Sequence, residues 1–127
     1  MPEAEALGLL STVPFGRIVF TDRALPAIRP VNHIVYQGDI VIQSQAGSAL
    51  ARAAENGVVV AFEADDIDAE RHLGWSVVVT GIARRVDDPE EARLLERLVT
   101  PWIQMPEKSH PVRIHADLVT GFRLTGQ

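Results

Sequence analysis

The sequence predicts a mainly β fold in which six or seven antiparallel strands close into a small barrel, with short helices on its outside. Three observations lead to this prediction. Short runs rich in Val and Ile recur along the chain and are bounded by turn residues, as strands are. Three helical segments lie at the start, in the middle and near the end. No internal repeat divides the chain, and closing hairpin-linked strands into a ring removes the unpaired edges of an open sheet.

The composition is that of an ordinary globular protein and limits the possible functions. With 127 residues, 46% hydrophobic and 23% charged, residues 1–127 are expected to form a single domain. The absence of cysteine excludes disulfides, thiolate metal sites and a cysteine nucleophile. A formal net charge of −5 without a cluster of Lys or Arg argues against nucleic-acid binding. Residues 1–16 lack a basic start and a long apolar stretch, so we expect no signal peptide, no membrane span and a cytoplasmic location.

The first part of the chain predicts a helix followed by a three-stranded meander. Residues 2–12 begin with Pro and Glu and continue with leucines, which predicts a short leading helix. Two extended runs follow at 15–22 and 26–36. The Gln-Gly-Asp step at 37–39 is a tight-turn signal that leads into a third strand at 40–45.

The middle of the chain contains the clearest short helix. Ser48 is a natural N-cap, alanines and other strong helix formers follow it, and Gly57 stands where a terminating glycine is expected. A strand at 58–65 comes next. The acidic stretch that follows, 65–74, is expected to be a polar loop.

The last part of the chain predicts a long strand, a capped helix and a closing β segment. The strand 75–88 is expected to bend near Gly81. Asp88 and Glu91 form a capping box around Pro89. The apolar face of the helix that follows consists of Leu95, Leu98, Val99 and Trp102. The remaining segments are a loop at 103–111 and one or two strands at 112–126 that turn at 115–117.

The strand that contains Pro30 is the first candidate for a binding site. In a strand, one face carries Arg29, Val31 and His33, and the other carries Pro30, Asn32 and Ile34. Because proline has no N–H to donate, the strand should lie at an edge or be split there, which leaves backbone groups near Val31 and Asn32 free for a ligand. One interpretation is a surface Arg and His beside an edge-strand proline. The other is an Arg that holds an anion beside backbone groups that meet the polar edge of a planar ring.

The second candidate is the start of the middle helix, with Ser44 and Ser48. A helix N-terminus offers free N–H groups and a partial positive charge to a phosphate, although simple capping is the alternative interpretation. The four histidines lack metal-ligand spacing, so no metal site is expected. The acidic stretch lacks the glycine and distal glutamate of an EF-hand, and no nucleophile elbow, phosphate-binding loop or dinucleotide fingerprint occurs.

Six segments, taken in order, resemble a known family. They are GRIVFTD, RPVNH, AGSAL, VVVAFEAD, GWSVVVTG and VRIHADLVTGFRL, and they extend from about residue 15 to about residue 125. Each is loose by itself, but the ordered set resembles the pyridoxamine 5′-phosphate oxidase-like family of flavin-binding split β-barrels, especially its small actinobacterial members. The resemblance implies a split barrel and a homodimer that binds FMN, or in some branches the deazaflavin F420, at the subunit interface.

The resemblance also implies a set of cofactor-binding residues. Arg29 and Ser48 would hold the phosphate, joined by Ser44. The backbone of Pro30, Val31, Asn32 and His33 would follow the edge of the isoalloxazine ring. Trp75 and Ser76 would lie at the ring or on the partner's side of the cleft. The chain departs from many relatives in one respect, because Gly47-Ser48-Ala49 stands where they have Gly-Ser-Lys, and Arg52 is a candidate to replace the missing cation.

These implications lead to a dimeric, FMN-binding, flavin-dependent oxidoreductase that acts on an unidentified small molecule. The alternatives are an F420-binding reductase, a non-catalytic flavin-binding protein and a cofactor-free barrel. No side chain is assigned as a catalytic acid or base. The homodimer has a separate argument, because Trp75, Trp102 and the Pro30 edge have no obvious cover in a monomer.

Overall fold

The computed structural model describes residues 1–99 and 109–126, and within them the chain is mainly β with three short helices, as predicted. The helices are α1 (Glu3–Leu10), α2 (Ala49–Glu55) and α3 (Pro89–Leu98). The strands are β1 (Phe15–Asp22), β2 (Leu25–Tyr36), β3 (Asp39–Gln45), β4 (Val58–Asp68), β5 (Leu73–Arg85), β6 (Ser109–Ile114) and β7 (Leu118–Thr125). Among the described residues, no helix is long and apolar enough to cross a membrane.

The strands form an antiparallel split barrel. The sheet order is β4-β1-β2-β3-β6-β5-β7, and an additional pairing between β4 and β5 closes a ring that leaves β7 outside it. Strand β5 belongs to two ladders on one edge, because Leu73–Thr80 pairs with β7 and Ala83–Arg85 pairs with β6. The ring is therefore closed at the point where β5 changes partner, which is Gly81.

Gly81 is required by the close approach of another backbone at this point. A Cβ atom built on Gly81 would lie 1.7 Å from the carbonyl oxygen of His115. The amide of His115 donates a hydrogen bond of 3.0 Å to the carbonyl of Ile82, which holds the two segments together. The bend expected near Gly81 stays a prediction; what the structure adds is this steric requirement for glycine, while the β4–β5 ladder continues past the residue without interruption.

The barrel is split between β2 and β3. Strand β2 pairs with β1 from Leu25 to Asn32, but with β3 only from His33 to Tyr36. The amide of His33 donates to Pro14 on the β1 side, at 3.2 Å. Because backbone groups of successive residues point to opposite edges, Pro30 faces the unpaired edge, where it has no N–H to leave unsatisfied. Strand β2 is continuous through Pro30, so of the two predicted alternatives the edge position is confirmed and a break in the strand is not.

The main core fills the barrel and includes α1, which packs on its end through Ala6 and Leu10. Trp75 belongs to this core and is only 6% exposed in the single chain, so the argument that it lacks cover in a monomer is wrong. A second cluster lies beneath α3 and contains Val41, Val86, Ala92, Leu95 and Val99. Leu98 is 45% exposed and does not share the buried face predicted for this helix, and Trp102 lies outside the described residues.

The stretch 65–74 is not a polar loop. Strands β4 and β5 continue their ladder to the pair Asp68↔Leu73, so only 69–72 form the turn. The prediction was wrong because it relied on the acidic side chains. The backbone N–H and C=O groups of the β4–β5 hairpin are hydrogen-bonded in its ladder, whatever the polarity of the exposed side chains. Strand β6 likewise begins at Ser109, earlier than the predicted start at 112.

His33 connects β2 to α1 from inside the barrel. Its side chain is 4% exposed, and Nε2 lies 2.8 Å from the carbonyl oxygen of Leu10, so Nε2–H is the donor. The ring lies 4.8 Å from that of Phe62, and Nδ1 has no hydrogen-bond partner among residues 1–99 and 109–126. Burial lowers the pKa of His33 below its ordinary value, although the hydrogen bond to Leu10 opposes the shift. His33 is a neutral core residue.

We expect Gly81→Ala to destabilise the fold by about 2–4 kcal/mol, because the new methyl group meets a backbone oxygen that cannot move without breaking the closing contact. The matched control is Gly8→Ala in α1, where a Cβ meets nothing within 4 Å and alanine should stabilise the helix by about 0.5–1 kcal/mol. Urea unfolding measures both. Equal stability of Gly81→Ala and wild type would contradict the steric role.

His33 makes stability depend on pH. Because its pKa is lower in the folded state, the unfolded chain binds an extra proton below about pH 6.5, and the free energy of unfolding falls by up to about 1.4 kcal/mol per pH unit on acidification. His33→Gln retains an N–H donor but does not titrate. The dependence of its free energy of unfolding on pH should therefore be weaker, by up to the contribution of one bound proton. Glu63, whose pKa is raised by burial and by Asp65, titrates in both proteins and cancels. Identical slopes in urea unfolding from about pH 7.5 to 5.5 would exclude this role.

Candidate functional site

A cleft opens where β2 and β3 separate. It encloses about 230 Å³ and receives residues from two of the predicted site segments and from β1. The lining residues are Phe20, Arg29, Pro30, Val31, Gln43, Ser44, Gln45, Ser48, Ala49 and Leu50. The turn at Gln37 and Gly38 brings β3 back beside β2, and α2 begins directly after β3. This connection brings the Pro30 segment and the helix start together, which the sequence permitted but did not establish.

Arg29 places a positive charge at this cleft. Its Nη1 donates to the carbonyl oxygen of Ile28 at 2.9 Å, and its guanidinium carbon lies 5.9 Å from the centroid of the Phe20 ring. No carboxylate of the described residues forms an ion pair with it. An arginine fork with no carboxylate partner is suited to a phosphate or carboxylate group.

The start of α2 supplies backbone donors to the same cleft. Ser48 is the N-cap, as predicted, and its Oγ accepts a hydrogen bond of 3.1 Å from the amide of Ala51. The amide of Ser48 donates to the carbonyl of Gln45 at 3.1 Å. The amides of Ala49 and Leu50 form no hydrogen bond with the described residues and belong to residues that line the cavity.

Strand β3 contributes two buried polar side chains. Ser44 is 3% exposed, and its Oγ donates to the carbonyl oxygen of His110 at 3.3 Å. Gln43 is 7% exposed and lines the cavity, yet its side-chain amide forms no hydrogen bond with the described residues. Sequence reasoning missed Gln43, because it is followed by Ser44 and Gln45 at the polar end of β3 and nothing in the sequence marks it as buried.

The other predicted site residues do not line the cleft. Asn32 and His33 are buried at the same end of β2, but they are not among the lining residues. Trp75 points into the barrel core. Ser76, its neighbour on the strand, points outward, and its Oγ donates to Oε2 of Glu63 at 3.3 Å. Five of the nine predicted residues therefore meet in this cleft: Arg29, Pro30, Val31, Ser44 and Ser48.

The part of the chain that the structure describes contains no group of three or more side chains suited to hold a metal ion. The chemistry available in the cleft is a guanidinium, backbone N–H groups, a buried amide and an apolar floor formed by Phe20 and Leu50. This combination suits a ligand with an anionic end and a flat or apolar remainder.

Comparison with known proteins identifies the family. The family model of pyridoxamine 5′-phosphate oxidase matches residues 2–124. An uncharacterised protein of Mycobacterium tuberculosis is 48% identical over 124 residues, which cover 94% of this chain and 81% of that protein. The structure of the FAD binding protein from Mycobacterium smegmatis is 35% identical, covers 98% of both chains and superimposes with a TM-score of 0.79.

A more distant structure shares the fold alone. The FAD-binding protein from Mesorhizobium loti is 20% identical, with a TM-score of 0.78 over 98% of this chain and 96% of that one. The resemblance inferred from the six sequence segments is confirmed by the family model, which matches nearly the whole chain. The chain belongs to the pyridoxamine 5′-phosphate oxidase family.

Proposed function

We propose that this protein is a cytoplasmic, homodimeric flavoprotein that binds FMN in the cleft between β2 and β3 and acts as an oxidoreductase on a small molecule. Membership of the family supports the proposal, as does the 35% identical relative from Mycobacterium smegmatis, which is described as an FAD binding protein. That relative makes FAD the second candidate cofactor, and F420 remains the third.

The observation that carries the proposal is that two polar side chains without a strong partner line the same cavity. Among the described residues, the side-chain amide of Gln43 forms no hydrogen bond and Arg29 forms no ion pair with a carboxylate. A ligand that supplies both an anion and polar ring atoms would give both groups a partner. A flavin phosphate has both features.

Different residues of the cleft would bind the phosphate and the ring system. Arg29 and the amides of Ala49 and Leu50 would hold the phosphate, next to Ser48. The unpaired edge of β2 at Pro30 would follow the polar edge of the ring system. When bound, the flavin supplies the redox chemistry, and the protein supplies binding and orientation. Ser44 would have to release the carbonyl of His110 before its hydroxyl could donate to a phosphate.

Arg52 compensates for the absent lysine in this proposal. Its Nη1 donates to the carbonyl oxygen of Gly47, so the guanidinium folds back toward the start of α2 instead of extending into solvent. Ala49, which replaces the lysine of many relatives, lines the cleft, whereas Arg52 is not among the lining residues and would have to turn toward the phosphate. The site would then keep a second cation near the phosphate.

The outer face of the sheet supports a homodimer. Strand register aligns Ile28, Val19, Ala61, Thr80 and Leu118 in one row across β2, β1, β4, β5 and β7. On this face Ile28 is 59% exposed and Leu118 is 57% exposed. A contiguous apolar face of this kind is typical of a self-association surface.

The cofactor prediction is tested on purified protein. We expect a yellow protein with flavin absorbance, or a flavin-free protein that binds FMN more tightly than FAD or F420, and NADPH oxidation by the loaded form. Binding without turnover would leave a flavin carrier, and the absence of binding to any of the three would overturn the proposal.

Arg29→Ala should weaken FMN binding by about 10- to 100-fold, because one charge-assisted contact is lost. The matched control is Arg93→Ala on α3, which removes an exposed arginine that does not line the cleft and should bind FMN as wild type does. Fluorescence titration measures the affinities. Equal affinity of Arg29→Ala and wild type would show that Arg29 is only a surface charge.

For the dimer, sedimentation at about tens of micromolar should show a two-fold species. Val59 is 64% exposed on the same outer face, so Val59→Glu should shift the equilibrium to monomer without unfolding the barrel. Leu94→Glu on α3 introduces the same change outside this face and should remain dimeric. A wild-type monomer at this concentration would overturn the dimer and any cofactor site shared between subunits.

A further inference from the structure

A second cavity of about 330 Å³ lies at the other end of β3. Its lining is charged and contains Asp39, Ile82, Arg84, Arg113, His115 and Asp117. None of these residues lines the flavin cleft, and Asp39 and Ser44 are separated along β3 by about 17 Å. The cavity is therefore a separate feature that the proposed function does not use.

Two arginines are held side by side at this cavity. Arg84 of β5 and Arg113 of β6 are directly paired in the antiparallel register, so their side chains share one face. Like charges at directly opposed positions of a sheet are destabilising unless a counter-charge intervenes. Each arginine is therefore expected to need a neutralising group nearby.

Arg113 is already neutralised. Its Nε donates to Oδ2 of Asp39 at 2.8 Å, and its Nη2 donates to Oε1 of Gln37 at 3.3 Å. Asp39 is in turn fully engaged, because its Oδ1 accepts the amide of Ala116 at 3.1 Å. Asp117 is engaged as well, since its Oδ1 lies 2.8 Å from Nδ1 of His115. Both carboxylates of the cavity have partners.

The side chain of Arg84 has no such partner in the part of the chain that the structure describes. It forms no ion pair or hydrogen bond there, although it stands opposite another cation. Its guanidinium packs on Gly57 instead, where a Cβ atom would lie 2.9 Å from Nη1. Gly57 has a φ of +82° and no side chain, so the guanidinium can pack directly on its backbone beside the cavity. The arginine is thus positioned without being neutralised.

We propose that Arg84 and His115 bind a small oxyanion, the phosphate or carboxylate group of a metabolite, in this second cavity. Asp117 fixes the His115 ring through Nδ1 and leaves Nε2 for the ligand. The guanidinium fork of Arg84 donates hydrogen bonds to two oxygens of the same group, and the anion neutralises the one arginine of the pair that has no carboxylate among the described residues. The proposal is independent of flavin binding.

The probe is inorganic phosphate at constant ionic strength, observed through the NMR resonances of the Arg84 Nε–H and the His115 ring. We expect saturable shifts with a Kd of about 1–10 mM, and Arg84→Gln should weaken the affinity about tenfold. The matched control is Arg85→Gln, which removes the same charge one residue away, where Arg85 pairs with Glu55 at 3.6 Å. This control should bind phosphate as wild type does.

Two further variants separate this cavity from the flavin cleft. Arg29→Ala should leave the phosphate-induced shift of the His115 ring resonances unchanged, even if phosphate also binds in the cleft. His115→Gln should reduce the phosphate-induced shift of the Arg84 Nε–H resonance. Acetate in place of phosphate distinguishes a carboxylate site from a phosphate site. Unsaturated shifts up to about 50 mM phosphate, or equal affinity in wild type and Arg84→Gln, would overturn the proposal whatever the outcome of the flavin experiments.

Discussion

The interruption of pairing between β2 and β3 is the constraint on which the rest of the structure depends. After the pairs from His33 to Tyr36, β3 leaves β2 and pairs with β6, so the ring stays closed while an edge of β2 remains open. Pro30 suits this edge because it has no N–H to lose. The cleft, its buried glutamine and the helix that begins beside it all occupy the space that this separation creates.

Closure of the ring depends on a second change of partner, on the opposite side of β6. There β5 leaves β7 and pairs with β6, and the crossing is possible only because Gly81 has no Cβ at the carbonyl of His115. The same crossing places Arg84 beside Arg113. Both candidate sites of this protein therefore lie where strands exchange neighbours, because backbone and side-chain groups there cannot all be satisfied within one regular ladder.

Each candidate site contains an arginine that lines its cavity and forms no ion pair with the described residues, Arg29 in one and Arg84 in the other. Arg17, Arg113 and Arg123, by contrast, are each within 3.0 Å of a carboxylate. A split barrel is a scaffold on which many functions occur, so the fold by itself assigns no reaction. The groups in the cleft favour a flavin, and the groups around Arg84 favour an oxyanion.

The sequence by itself determined the local features: the strand runs, the caps at Ser48 and Asp88, and the open edge at Pro30. Each depends on the conformational or hydrogen-bonding preference of one or two residues, so it can be recognised without the fold. Only the tertiary structure decided that Arg29 meets Ser48, that Gln43 faces the same cavity, that Trp75 is core and that 65–74 extends a hairpin. These outcomes depend on strand register and on the order of strands around the ring, which set the face and neighbours of every side chain through pairings between distant segments.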